Sequence, residues 1–129
     1  DEQTLASSID LAPTILKACG LPVPSSMKGI DLRDREALAK RNAVFGASYA
    51  HDILDVAQPT LSVQTRYVVT GDWKLLLHHG GPAPGKSAEL YNLSRDPAEE
   101  TDLASKNADK VRELTARLAA WWPGPERAP

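Results

Sequence analysis

Apolar residues recur at helical spacing in two stretches of the chain and alternate along others, a mixture of α and β patterns. In SSIDLAPTILKACG, Leu11, Ile15 and Ala18 form one stripe, with Leu16 and Cys19 beside it. Asp10 stands where an N-cap carboxylate accepts a bond from a free amide of the first turn. Pro13 falls in that turn, where no intrahelical donor is lost. Gly20 supplies a left-handed stop, and Pro22 and Pro24 prevent resumption. The pattern predicts a short helix over residues 11–19. Residues 21–41 read as loop, with at most a helical turn in RDREALAKR.

Strand formers dominate NAVFGASYAH, and residues 51–61 form an irregular connection broken by Pro59. SVQTRYVVT and WKLLLHH flank Gly71-Asp72, a two-residue turn in which glycine at the first position favours type II′ geometry. Val63, Thr65, Tyr67 and Val69 then share one face, and Arg66, Val68 and Thr70 the other. AELYNL is a further short strand, and SRDPAEE is a turn whose acidic run stays in solvent. A last helix runs over residues 108–121, with Asn107 at its cap position. Val111, Leu114, Leu118 and Trp121 lie on one of its faces. These elements predict an α+β fold. A small antiparallel sheet of about four strands carries the C-terminal helix on one face, with a separate N-terminal helix. The expected organisation is residues 1–41 as connecting helix and loop, 42–122 as sheet plus terminal helix, and 123–129 as a frayed tail.

Composition narrows the classes. The 129 residues suit one domain, and 42% hydrophobic with 25% charged residues is ordinary for a globular chain. With three Trp, three Tyr and one Phe, the core is mainly aliphatic. A formal charge of −2 without a clustered basic face argues against nucleic acid as a partner. No apolar run approaches the roughly 20 residues of a membrane span, so no membrane partner is expected. One cysteine excludes an internal disulfide. The chain starts without Met and enters a helix almost at once, as a fragment of a longer protein would.

No active site assembles from residue types alone. Cys19 lies at a helix end within an apolar face and reads as a packing residue. His78 and His79 on a strand point to opposite faces and cannot share one metal. His51 beside Asp52 on a loop is a weak signal, and no metal-ligand spacing is present. Gly80 through Ser87 matches the spacing of a phosphate loop. Its prolines and the strand that follows make it a hairpin loop instead. Neither catalytic nor metal residues are therefore assigned to this chain.

Three segments in order resemble the carboxy-terminal region of sulfatases of the alkaline-phosphatase superfamily, of arylsulfatase or N-sulfoglucosamine sulfohydrolase type. They are SSIDLAPTILKACGLPVP followed by KGIDL, then RYVVTGDWKLLL, then AELYNLSRDPAEETDLA. Asn92 and Asp102 exchange amide and acid relative to the family pattern. The resemblance implies a formylglycine nucleophile and a divalent metal, calcium, in an upstream catalytic domain. Cys19 lacks the Pro/Ala and Arg that follow the family's modified residue, so this chain needs no cofactor of its own and is expected to be inactive alone. It implies a piece that packs on that catalytic domain and shapes its substrate pocket, with His51 and Arg66 as substrate-binding candidates for a sulfated sugar. For Arg66 the competing expectation is an ion pair with an acidic neighbour across the hairpin. It further implies a periplasmic or extracellular location, and an apolar docking face that invites self-association. Two other readings are a stand-alone glycan- or protein-binding module, and the tail of a related phosphodiesterase or phosphonate hydrolase.

Overall fold

A computed structural model of the chain describes residues 4–80 and 87–124, so the glycine-proline loop at 81–86 and the last five residues lie outside the described part. The chain divides into two compact units, Asp1–Val44 and Phe45–Pro129.

The first unit holds α1 (Leu11–Ala18), entered through a 3-10 turn at Ser8–Asp10, and the five-residue α2 (Arg35–Ala39). Gly20, at φ +72, ends the segment as expected. Asp34 caps α2 by accepting the Ala37 amide at 2.9 Å. The α1 stripe faces out. Leu11 and Ile15 are 55% and 61% exposed, whereas Pro13 is buried. Cys19, expected to pack, is exposed for the same reason.

The second unit is a four-stranded meander in the order β1 (Val44–Tyr49), β2 (Val63–Thr70), β3 (Trp73–His78) and β4 (Ala88–Asn92), covered by α3 (Ala108–Trp121). Together with α1 this is the α+β architecture expected from the pattern. Thr70 pairs with Trp73, so Gly71-Asp72 is the two-residue turn. Gly71 at φ +51 is the position where a side chain is strained. Val68, Leu75 and Leu90 are register partners across β2, β3 and β4 and are fully buried. Leu114 and Leu118 of α3 are equally buried, which makes these five side chains the centre of the unit's core. Trp121, 45% exposed, stacks on Phe45 with ring centroids 5.3 Å apart and planes 9° from parallel.

Two expectations need correction. Asn107 precedes α3 but makes no capping bond, because its side-chain amide donates to the Leu103 carbonyl at 3.0 Å. The acidic run after β4 is not wholly in solvent. Glu99 turns back at φ +57 and both its carboxylate oxygens lie 2.7 Å from Lys74 Nζ.

Candidate functional site

Three places in the chain combine polar chemistry with accessible or deliberately buried side chains. The first is the base of α1. Asp10 is completely buried, and a buried carboxylate persists only when its charge is paired and its lone pairs are filled. It accepts the amides of Ser7 at 2.7 Å and Ile30 at 2.8 Å, and both guanidinium nitrogens of Arg41 at 2.5 and 2.7 Å. The Arg41 bonds, followed by those amides, hold its pKa down at about 2 against 3.8. The cap bond expected from Asp10 to the first turn of α1 is therefore not made. Its carboxylate ties the segment before the helix to the loop after it. One turn on, Thr14 Oγ1 donates to the Asp10 carbonyl at 2.6 Å and accepts the Leu32 amide at 2.8 Å. With its polar side fastened inward, α1 presents Leu11 and Ile15 outward. Ile9 and Leu21 are also more than half exposed.

The second place is the connection between β1 and β2. His51 is fully exposed, with Nδ1 3.3 Å from Asp52 Oδ1. Just beyond it Ile53, Leu54 and Val56 are 57%, 76% and 86% exposed. Ser62 anchors this stretch, with its hydroxyl accepting the Leu54 amide at 2.9 Å and its carbonyl accepting that of Ala50 at 2.7 Å.

The third is Arg66, which the structure places inside the fold on the α3 side of β2, 5% exposed. Its cross-strand neighbour is Leu77, not an acid. The guanidinium donates to His79 Nε2 at 2.9 Å and to the Trp122 carbonyl, and its carbon lies 5.6 Å from the Trp122 ring centroid. Burial lowers the Arg66 pKa. His78, on the opposite face as expected, lies between Thr65 Oγ1 at 3.1 Å and Glu89 Oε2 at 3.2 Å. His51 and Arg66 are therefore differently placed, the one open to solvent and the other holding the end of α3.

Among the described residues no group of three or more His, Cys, Asp or Glu side chains is positioned to hold a metal ion. The described residues do not fit such a centre. No described helix is long and apolar enough to cross a membrane.

Residues 1–121 match the family described as N-sulphoglucosamine sulphohydrolase, C-terminal. Among curated proteins the chain is similar to arylsulfatase K of Xenopus laevis, at 25% identity over 118 residues. That alignment covers 89% of this chain and 22% of the relative. Arylsulfatase K of Rattus norvegicus is 28% identical over 117 residues, with 89% and 20% covered. The chain thus spans about a fifth of the length of these relatives. Among solved structures it resembles one in complex with its substrate D-glucosamine-2-N,6-O-disulfate, with TM-score 0.60 and 25% identity. There 91% of this chain and 24% of that chain are covered. A 2-O GAG sulfatase shares the fold at TM-score 0.63 and 24% identity, covering 87% of this chain and 23% of its own. With order, spacing and fold in agreement over nearly its whole length, the chain belongs to the family of N-sulphoglucosamine sulphohydrolase C-terminal regions.

Proposed function

We propose that this chain is the part of a sulfatase that docks on the catalytic domain and shapes its substrate pocket, in a hydrolase of sulfuric esters on sulfated carbohydrate. The observation that carries the reading is the outward apolar face of α1. A helix whose polar side is fixed by Asp10 and Thr14, and whose Leu11 and Ile15 are left in water, is built to be covered. Burying each such side chain stabilises the assembly by roughly 1.5–3 kcal/mol.

The formylglycine and the divalent metal, calcium, belong in this reading to the catalytic domain, where the one would supply the nucleophile and the other positive charge beside the sulfate oxygens. Residues of this chain bind and position. Of the two substrate-contact candidates, His51 has an unobstructed side chain to offer a sulfated sugar. Arg66 contributes by holding Trp122 and the end of α3 in place. The uncovered face also gives the isolated chain a route to self-association, which light scattering across concentration detects.

Ile15→Asp tests the docking. In the isolated 129-residue chain the substitution lowers the melting temperature only slightly, because most of the side chain is already in water. In the full-length protein it lowers both the melting temperature and metal-dependent hydrolysis of sulfate esters. Equal tolerance in both contexts ends the docking reading.

A further inference from the structure

Beyond these places, the second unit carries a cleft of about 380 Å³ between the start of β3 and the turn that follows β4, lined by Trp73, Asn92, Arg95, Asp96, Thr101 and Leu103. Its walls are fixed from several directions. The Leu93 amide donates to the Asp72 carbonyl at 2.7 Å, fastening the turn to the hairpin that carries Trp73. Trp73 and Asn92 are register partners. Asn92 Oδ1 accepts from Ser94 Oγ at 2.8 Å and from the Arg95 amide at 3.2 Å. The Asp96 carboxylate accepts the amides of Glu100 at 3.1 Å and Thr101 at 2.8 Å. These bonds fix the turn beside Trp73.

Arg95 is exposed, and its guanidinium makes no bond to another described residue. A tryptophan side chain beside an exposed guanidinium and a carboxylate has a specific complement. The C–H face of a pyranose meets the negative face of an aromatic ring, the guanidinium grips a planar or tetrahedral oxyanion, and carboxylate and hydroxyl groups bond sugar hydroxyls. Small concave sites with one apolar wall and a few fixed polar groups are the usual form of ligand pockets.

We propose that this cleft is a glycan subsite taking one anionic pyranose unit, stacked on Trp73 with its sulfate or carboxylate on Arg95. The proposal rests on the reading of the protein as acting on sulfated carbohydrate, and adds a second place where that carbohydrate is held.

The test uses the full-length protein labelled with 5-fluorotryptophan, the Trp73 signal being assigned by its loss in Trp73→Phe. Titration with a heparin-derived tetrasaccharide is expected to shift that signal saturably. Arg95→Ala is expected to weaken the binding so read about tenfold, the loss of one charge-assisted contact. Arg95 is exposed, so an unchanged melting temperature accompanies this loss. A Trp73 signal that stays put while sulfate esters are hydrolysed overturns the subsite and leaves the enzymatic reading intact. A Trp73 signal that stays put with no hydrolysis overturns both. An Arg95→Ala protein that binds as tightly as the parent overturns the assignment of Arg95 and with it the proposal.

Discussion

Arg41 lies 31 positions from Asp10 and closes both terminal guanidinium nitrogens on its buried carboxylate. The pair is desolvated, and its value depends on both partners being present: removing one leaves the other charged and buried. Asp10→Asn is therefore expected to cost about 3–5 kcal/mol, read from the denaturant midpoint. Arg41→Met, which removes the opposite partner, is expected to be similarly harmful because Asp10 is then the uncompensated charge.

The same pair sets an acid limit. Asp10 and Asp31 both titrate at about 2 in the folded chain against 3.8 for the ordinary carboxyl, Asp10 through Arg41 and Asp31 through the Arg33 side chain. A folded-state pKa below the unfolded value means that protonation favours unfolding. The stability they supply is complete above about pH 4 and is lost as pH falls toward 2. Urea midpoints measured between pH 5 and 2 are expected to fall steeply in that window, and the slope is expected to be shallower in Asp10→Asn.

Gly29 and Gly20 separate steric from conformational cost. A Cβ at Gly29 meets the Ile9 carbonyl oxygen at 2.1 Å, so backbone must move and the Ile30 amide is pulled from Asp10. A Cβ at Gly20 meets nothing within 4 Å but sits at φ +72. Gly29→Ala is expected to cost about 1–3 kcal/mol with a distorted first unit. Gly20→Ala costs about 1–2 kcal/mol with its contacts intact. Thermal melts with amide spectra of the two variants distinguish these outcomes.

Leu114 and Leu11 are the same residue type in opposite surroundings, fully buried and 55% exposed. Leu114→Ala is expected to lose about 2–5 kcal/mol by opening a cavity over the sheet. Leu11→Ala in the isolated chain stays within about 0.5 kcal/mol. A matching loss at Leu11 in the isolated chain contradicts its exposure.

His51→Ala is expected to leave the melting temperature of the full-length protein unchanged, since the side chain is fully exposed and its bond among the described residues is to the equally exposed Asp52. It is expected to lower kcat/KM on a sulfated oligosaccharide about tenfold, the worth of one polar contact. Unchanged kinetics remove His51 from the pocket.

The sheet was legible in the chain because alternation and turn chemistry are local. The Gly71-Asp72 turn alone determines the Thr70–Trp73 pairing, and α3 runs over the residues that its stripe predicts. The role of Asp10 was not, because an aspartate ahead of a helix looks the same whether it caps that helix or binds an arginine 31 residues away. Periodicity locates the α1 stripe but is silent on which side of a helix its own chain covers, so Cys19 reads as a packing residue and is exposed. Arg66 shows the same gap. Its position on β2 follows from the hairpin, whereas its hold on Trp122 depends on how α3 ends.

Every strand of the sheet pairs with its nearest neighbour in sequence, in the order β1-β2-β3-β4. Closing such pairings loses little chain entropy, and topologies of this kind form quickly. The meander can zip outward from the Gly71-Asp72 turn, and α3, next along the chain after β4, then closes over it. The instructions for this unit are thus written locally. Such a module can complete its own fold without waiting for contacts made elsewhere in the chain.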